Sequence, residues 1–129
     1  SWPKISSFYK RVISSEENVG MKVYDNATEN ADTPTWVCGH WNGSPLEIGM
    51  GLRTEVGEHE VRHHHPYCEY FIGLEGTAEF EVEGSVVELR PGLVVMFEPG
   101  ERHQLLSVSQ AGARWIVIKE QSKPGTKYR

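Results

Sequence analysis

Turn-forming residues divide the chain from Leu46 to Lys119 into short segments, and this division constrains the fold more than any other feature. Gly84-Ser85, Pro91-Gly92 and Pro99-Gly100 separate runs that are rich in β-branched and aromatic residues. Proline presets φ and glycine accepts a positive φ, so these pairs are typical of tight turns. Short runs between turns at close intervals predict an all-β sandwich or barrel.

The segment from Ala78 to Glu83 has the clearest strand pattern. Ala78, Phe80 and Val82 alternate with three glutamates, which indicates one buried face and one face in water. The same criteria predict further strands at Trp36–His40, Tyr70–Leu74, Val86–Leu89, Leu93–Phe97 and Ala113–Ile118.

A chain of 129 residues is long enough for one domain with an apolar core. We expect a barrel over residues 36–120, preceded by an N-terminal segment over 1–35 that packs on the barrel or on a dimer partner. That segment contains a capping-box pattern, Ser14 to Glu17, that no helical stripe follows. The polar, basic tail over 121–129 is expected to be frayed.

Composition excludes several classes of function. The net charge is -5 and no long Lys/Arg run occurs, so nucleic acid is not an expected partner. No stretch approaches the roughly eighteen apolar residues of a membrane span, and the N-terminus lacks the apolar core of a signal peptide. We therefore expect a soluble, cytoplasmic chain in which Cys38 and Cys68 are reduced.

A cluster of metal-binding residue types is the most informative chemical feature. His63 and His65 are two residues apart, which in a strand puts both imidazoles on one face, roughly 7 Å apart. Glu69 follows the bend at Pro66, and His103 follows the Pro99-Gly100 turn. Three imidazoles and a carboxylate suit a first-row divalent ion and leave up to two of six octahedral positions open. His64 should point the other way by alternation.

The spacing of these residues resembles that of the cupin superfamily. Its first motif, a glycine, His-x-His, a glutamate and a second glycine, is matched at every interval by Gly57, His63, His65, Glu69 and Gly76. Its looser second motif is answered by Gly92, Pro99, Gly100 and His103, and the fifteen intervening residues form the short linker of a minimal cupin. Leu93 and Ser107 depart from the usual acidic residue and asparagine, but neither is a ligand position.

The resemblance implies a cupin β-barrel, also called a double-stranded β-helix or jelly roll, and a homodimer. It also implies one divalent transition metal per chain, bound by His63, His65, Glu69 and His103. Fe2+ is our first expectation, but Mn2+, Ni2+, Co2+, Cu2+ or Zn2+ would suit the same ligands.

We predict a mostly apolar pocket for a small-molecule substrate, lined by Met50, Leu52, Phe71, Phe80, Met96, Leu105 and Trp115. Such a lining suits a compact aromatic or enol-like molecule better than a sugar. Glu69 and Arg53 are the predicted catalytic residues, with Arg53 as a carboxylate anchor. Cys68 is expected to be a core thiol.

Fold does not determine reaction, so three functions stay open. The first is a dioxygenase whose substrate chelates the metal through two oxygens. The second is a non-redox isomerase, lyase, decarboxylase or cyclase. The third is a small-molecule-binding cupin without catalysis. Cupins that act as sensors are usually fused to a DNA-reading helical domain. No helix-turn-helix pattern fits this chain, which favours the enzyme.

Overall fold

The computed structural model describes residues 20–26, 35–57 and 61–129. The capping-box pattern Ser14 to Glu17 and most of the predicted N-terminal segment lie outside these ranges. Within the described part of that segment, the Tyr24 hydroxyl donates a hydrogen bond to the Asn42 carbonyl over 3.2 Å. Residues near position 24 therefore contact the turn that follows the first described strand.

Eight strands make up the described fold, which confirms the all-β prediction. They are β1 Thr35–Cys38, β2 Glu47–Arg53, β3 Glu69–Glu75, β4 Ala78–Val82, β5 Ser85–Leu89, β6 Val94–Phe97, β7 His103–Val108 and β8 Ala113–Lys119. Helical structure in the described ranges is limited to a 3-10 turn at His40–Asn42. No helix among the described residues has the length and apolar character needed to cross a membrane.

The strands form two antiparallel sheets whose inner faces enclose the core. One sheet has the order β1-β2-β8-β3-β6, and the other has the order β5-β4-β7. Side chains from both sheets form one buried cluster, made of Phe71, Ala78, Phe80, Leu89, Phe97, Leu105, Ala113, Trp115 and Val117. This arrangement of strands is that of a cupin β-barrel.

Alternation of side chains explains why these segments are strands. In β8, Ala113, Trp115 and Val117 are buried while the residues between them are partly exposed. Strand β8 pairs with β2 on one side and with β3 on the other, so its backbone groups are bonded along both edges. A buried apolar face with a paired backbone is what a central strand requires.

Two short pairings extend the smaller sheet past β7. The amide of His63 donates to the His103 carbonyl over 3.0 Å, and the His103 amide donates back over 2.9 Å. On its other side this segment pairs with the C-terminal tail, because His64 and Tyr128 also exchange two backbone hydrogen bonds. The expectation of a frayed tail was wrong, since the tail supplies backbone partners to the segment that carries two histidines.

The first described strand is shorter than predicted. We expected it to reach His40, but β1 ends at Cys38. Gly39 then starts the 3-10 turn, in which the Asn42 amide bonds back to the Gly39 carbonyl over 3.1 Å. The amides of Gly39 and His40 donate to Asn42 Oδ1 and Ser122 Oγ, so neither is available to a sheet partner and the ladder stops there.

Candidate metal centre

The four predicted ligands start from different parts of the barrel and meet in its interior. Glu69 is the first residue of β3 and His103 is the first residue of β7. His63 is held beside His103 by the backbone pairing described above, and His65 lies two residues farther along. One ligand atom from each of the four residues lies within 4.8 Å of the other three. The structure therefore brings together the whole set that the sequence pattern indicated.

Each histidine has one ring nitrogen committed to a backbone carbonyl. The Nδ1 atoms lie 2.7 Å from Val61 O for His63, 2.8 Å from Thr126 O for His65 and 3.0 Å from Glu101 O for His103. A carbonyl oxygen only accepts, so each Nδ1 carries the hydrogen. In a neutral imidazole the lone pair is then on Nε2, and backbone partners of this kind fix the tautomer and orientation of metal-binding histidines.

Aromatic rings support two of these imidazoles. Phe97 stacks on His103 with ring centroids 4.1 Å apart and planes 7° from parallel. Tyr67 stacks on His65 at 5.2 Å and 11°, and its hydroxyl lies 2.9 Å from Thr126 Oγ1. Tyr67 and Phe97 are themselves buried, so the close packing around them also restricts the imidazole rings of His65 and His103.

Burial keeps two of the histidines neutral. Desolvation is the main reason that the pKa of His63 falls to about 4, and the charges of His103, Lys127 and His65 act in the same direction against the bond to Val61. Burial also lowers the pKa of His65, although Glu69 and the bond to Thr126 oppose it. Neutral imidazoles have the free lone pair that a metal needs, so protons compete weakly for these sites near neutral pH.

Glu69 remains ionised despite being buried. Burial alone would raise the pKa of its carboxyl group. Interactions with His103 and His65, which act when those rings carry a positive charge, and the Lys119 ammonium group lower the pKa of Glu69, and the net shift is downward. The site therefore contains a carboxylate at neutral pH.

The contact between Glu69 and His103 shows that the residues fit a cation. Glu69 Oε1 and His103 Nε2 lie 3.0 Å apart, and neither buried atom has a hydrogen-bond partner. With the hydrogen of His103 on Nδ1, both atoms are acceptors and would repel each other. A divalent ion between them removes the conflict, and ligands about 2.0 to 2.2 Å from such an ion lie about 3 Å apart at adjacent positions.

The neighbouring residues His64 and Cys68 point away from this centre. His64 is not part of the cluster, and its ring lies 5.6 Å from that of Tyr128. Cys68 is partly exposed instead of being a core thiol, and a hydrogen bond with Glu120 is the main reason that its pKa is raised. Cys68 precedes the inward-facing Glu69 by one residue, so the alternation of strand β3 directs it outward.

A cavity of about 220 Å3 opens from the cluster into the barrel. It is lined by Trp36, Arg53, His63, His65, Glu69, Phe71, Phe80, His103, Leu105, Trp115, Val117, Lys119 and Lys127. This volume is below the roughly 300 to 1,000 Å3 of pockets for drug-sized ligands, so a ligand that fits must be compact.

Three predicted pocket residues lie elsewhere, which corrects the predicted lining. Met50, Leu52 and Met96 are absent from the cavity wall, and Met96 is 43 % exposed. In β2 the buried positions are Gly49 and Gly51, so the residues between them face outward and Arg53 faces the cavity. Met96 precedes the buried Phe97 and is therefore on the outer face of β6. Phe71, Phe80, Leu105, Trp115 and Arg53 line the cavity, and their contact with a substrate stays a prediction.

Two cationic residues of the cavity wall, Lys119 and Lys127, were not among the predicted lining residues. Lys119 follows Trp115 and Val117 at intervals of two in β8, so the alternation of that strand would have found it. Lys127 comes from the tail, whose path has no periodic pattern in the sequence. Lys119 Nζ lies 3.0 Å from Glu47 Oε2 and 4.5 Å from the centre of the Trp36 ring, which places Trp36 in the same wall.

Solved structures with a similar fold share little sequence with this chain. The EutQ protein of Clostridium difficile aligns over 70 % of this chain and 62 % of its own, with 19 % identity and a TM-score of 0.55. A protein from Planctomyces limnophilus aligns over 74 % and 81 %, with 17 % identity and a TM-score of 0.58. A cupin-2 domain protein from Shewanella frigidimarina aligns over 74 % and 85 %, with 15 % identity and a TM-score of 0.54.

At such identities the likeness concerns the fold alone, and the alignment with EutQ spans less than two thirds of that protein. Comparison with curated proteins finds no match. The cupin domain family model matches residues 52–119, more than half of the chain, and this range contains all four clustered ligands. The chain therefore belongs to the cupin domain family.

Proposed function

We propose that this cupin is a metal-dependent enzyme whose small organic substrate chelates a divalent ion through oxygen atoms, and that the reaction is a dioxygenation. The observation that carries the proposal is the buried contact between Glu69 and His103, in which two acceptor atoms face each other without a hydrogen-bond partner. Leaving such atoms unpaired costs free energy unless a ligand satisfies them. A resident ion at this centre is the simplest ligand that does so.

His63, His65, Glu69 and His103 would hold the ion, with the three Nε2 atoms and a carboxylate oxygen as donors. When bound, a divalent ion would polarise substrate oxygens as a Lewis acid and, if it is iron, would also give the site access to dioxygen chemistry. The backbone bonds at the three Nδ1 atoms keep the imidazoles oriented for this purpose. Four protein ligands leave room for substrate in an octahedral arrangement.

The cavity wall supports dioxygenation over proton transfer. Apart from the four ligands, the described lining residues are apolar side chains and the cations Arg53, Lys119 and Lys127. Ionised lysine and arginine cannot take a proton, so no dedicated general base faces the cavity among the described residues. The aromatic surfaces of Phe71, Phe80 and Trp115 would instead pack against a compact, flat substrate and exclude water from the reacting atoms.

A non-redox reaction is the second candidate, and one observation favours it. Glu69 is ionised and lines the cavity, where a carboxylate could remove a proton next to a substrate carbonyl group. An isomerase, lyase, decarboxylase or cyclase would use such a step. The two candidates differ in their need for iron and in their consumption of oxygen.

Metal analysis tests the proposal. Protein purified without a histidine tag or chelator would be analysed by plasma mass spectrometry and then reconstituted anaerobically with the metal found. Near-stoichiometric iron, together with oxygen uptake on an electrode in the presence of an enol or catechol-like compound, would support the dioxygenase. Zinc, nickel or manganese without oxygen uptake would favour the non-redox reaction, and failure to bind any divalent ion would contradict both.

A further inference from the structure

Cationic side chains outnumber carboxylates in the wall of the cavity, although the chain as a whole is negative. The sequence has thirteen basic and eighteen acidic residues. Among the described lining residues the cationic side chains of Arg53, Lys119 and Lys127 outnumber the one carboxylate, that of Glu69, and Glu47 behind the wall pairs with Lys119. Glu69 is committed to the metal cluster, and a divalent ion there would make the cavity more positive. A concave site with an excess of positive charge concentrates anionic ligands.

Lys119 is held in place, and its ammonium group keeps N–H donors that Glu47 does not use. Its ammonium group lies 3.0 Å from Glu47 Oε2 and above the ring of Trp36, and only 14 % of the lysine side chain is exposed. The other Glu47 oxygen accepts a hydrogen bond from Ser122 Oγ over 2.9 Å, so the carboxylate is itself fixed. An ammonium group has three N–H donors, and Glu47 takes one of them. Lys119 can therefore donate to a ligand without losing its partner.

Lys127 is brought to the cavity by the ordered tail. The residues on either side of it are anchored, since Thr126 O accepts from His65 and Tyr128 pairs with His64 through the backbone. Lys119 and Lys127 line the same cavity as the four clustered residues, and the backbone of Lys119 pairs with that of Glu69.

We propose that the cavity recognises a compact organic carboxylate, whose carboxylate group is bound by Lys119 and Lys127 while its apolar part lies against Phe71, Phe80 and Trp115. The aromatic wall favours a flat hydrocarbon group, and the volume of about 220 Å3 limits its size. The inference extends the proposed function by naming the substrate class. It rests on that function only where the ligand contacts the metal, because the lysines and the aromatic wall are present without an ion.

Benzoate and benzamide test this inference, because they share shape and differ in charge. Isothermal titration calorimetry would be performed on the full chain loaded with Zn2+ and repeated on the metal-free chain. We expect benzoate to bind about tenfold or more tightly than benzamide in both forms, since the lysines are present in both. Equal binding of the two compounds, or binding of neither, would overturn the inference.

Two tail lysines provide a matched pair of variants. Lys127→Gln should weaken benzoate binding about two- to fivefold, the range for an exposed charge pair, and Lys127→Arg should restore it. Lys123→Gln is the control, because Lys123 is an exposed tail lysine outside the cavity wall. Equal effects of Lys127→Gln and Lys123→Gln would mean that general attraction, and not the proposed site, binds the anion.

Benzoate binding to a Lys119→Met variant is a second test, and it does not depend on the tail. We expect at least about tenfold weaker benzoate binding, because a largely buried ammonium group is lost. A thermal melt of the same sample shows whether the variant is folded. Unchanged benzoate binding in a folded Lys119→Met variant would overturn the inference.

A chain that fails to bind Zn2+ would contradict the proposed function alone, because the titration of the metal-free chain would still decide whether the carboxylate site exists.

Discussion

Glu69 Oε1 lies 3.0 Å from His103 Nε2, and both side chains are buried in the barrel. The Nδ1 atom of His103 is used by the Glu101 carbonyl, so a neutral His103 presents a lone pair to the carboxylate. The contact is favourable if a cation lies between the two atoms. Metal binding is therefore linked to the stability of the barrel, because the ion removes this repulsion.

Replacing His103 with alanine should release the metal. The variant loses one of four ligands and leaves Glu69 ionised and without its partner. We expect metal content near zero by plasma mass spectrometry and a lower melting temperature. His64→Ala is the matched control, because His64 faces Tyr128 and is outside the cluster. Loss of metal from the His64 variant with retention in the His103 variant would contradict the ligand assignment.

Glu69→Gln should weaken metal binding by at least about 100-fold while keeping the shape of the side chain. An amide oxygen is a weaker ligand than a carboxylate, and the substitution removes the only negative charge in the cluster. Competition with a chelator of known affinity would measure the change. Glu79→Gln is the control, since Glu79 is exposed on β4. Equal affinity of the Glu69 variant and the wild type would remove the carboxylate from the ligand set.

The metal cluster could be predicted from the sequence because its geometry follows from short-range rules. Two residues of separation put His63 and His65 on one face, and the turns before Glu69 and His103 bring those residues to the starts of strands. The pocket prediction failed at Met50 and Leu52 for the same reason. Arg53 was predicted to face inward, and residues one and three positions before it must then face outward.

The role of the tail could not be predicted in this way. Thr126 accepts from His65 across 61 positions of sequence, and nothing in the residues 121–129 indicates that contact. The tail is polar and aperiodic, which is typical of a frayed end. Its position depends on the hydrogen bond between the Tyr67 and Thr126 hydroxyl groups and on backbone pairing with His64, and such tertiary contacts have no local signature.

Deleting residues 124–129 should lower metal affinity although no ligand is removed. The deletion takes away the Thr126 carbonyl that orients His65 and the Tyr128 backbone that pairs with His64. Loss of such a supporting partner typically weakens metal binding about 10- to 100-fold. The same chelator competition would measure it, with deletion of Arg129 alone as the control. An unchanged affinity would show that the barrel orients His65 without the tail.

The metal-free protein should lose stability as the pH falls below neutrality. Burial lowers the pKa of His63 from 6.5 to about 4, so the unfolded chain takes up a proton before the folded chain does. The loss of stability should therefore develop between about pH 6.5 and pH 4, and it should be about 1 to 2 kcal/mol, less than the full shift would give, because solvent screens the partly exposed ring. Urea unfolding at several pH values would measure it. His63→Gln should show a shallower slope in this window, and an identical slope would contradict the assignment.

Gly76, the last glycine of the first motif, should be intolerant of a side chain for two separate reasons. Its φ of +63° strains any other residue, and an added Cβ would overlap the Gly112 carbonyl oxygen and lie 2.8 Å from Ser109 Oγ. Gly84 has a φ of +88° with nothing within 4 Å of such a Cβ, so it isolates the cost of the backbone conformation.

We expect Gly84→Ala to lower the free energy of unfolding by about 1 kcal/mol and Gly76→Ala by about 3 kcal/mol or more, measured by urea unfolding. The difference in the free energy of unfolding between the two variants measures the cost of the close approach of the turn after β3 to the turn before β8. This cost is independent of the metal. If both variants lose the same free energy, the motif glycine is required only for its φ, and the approach of the two turns can adjust to a methyl group.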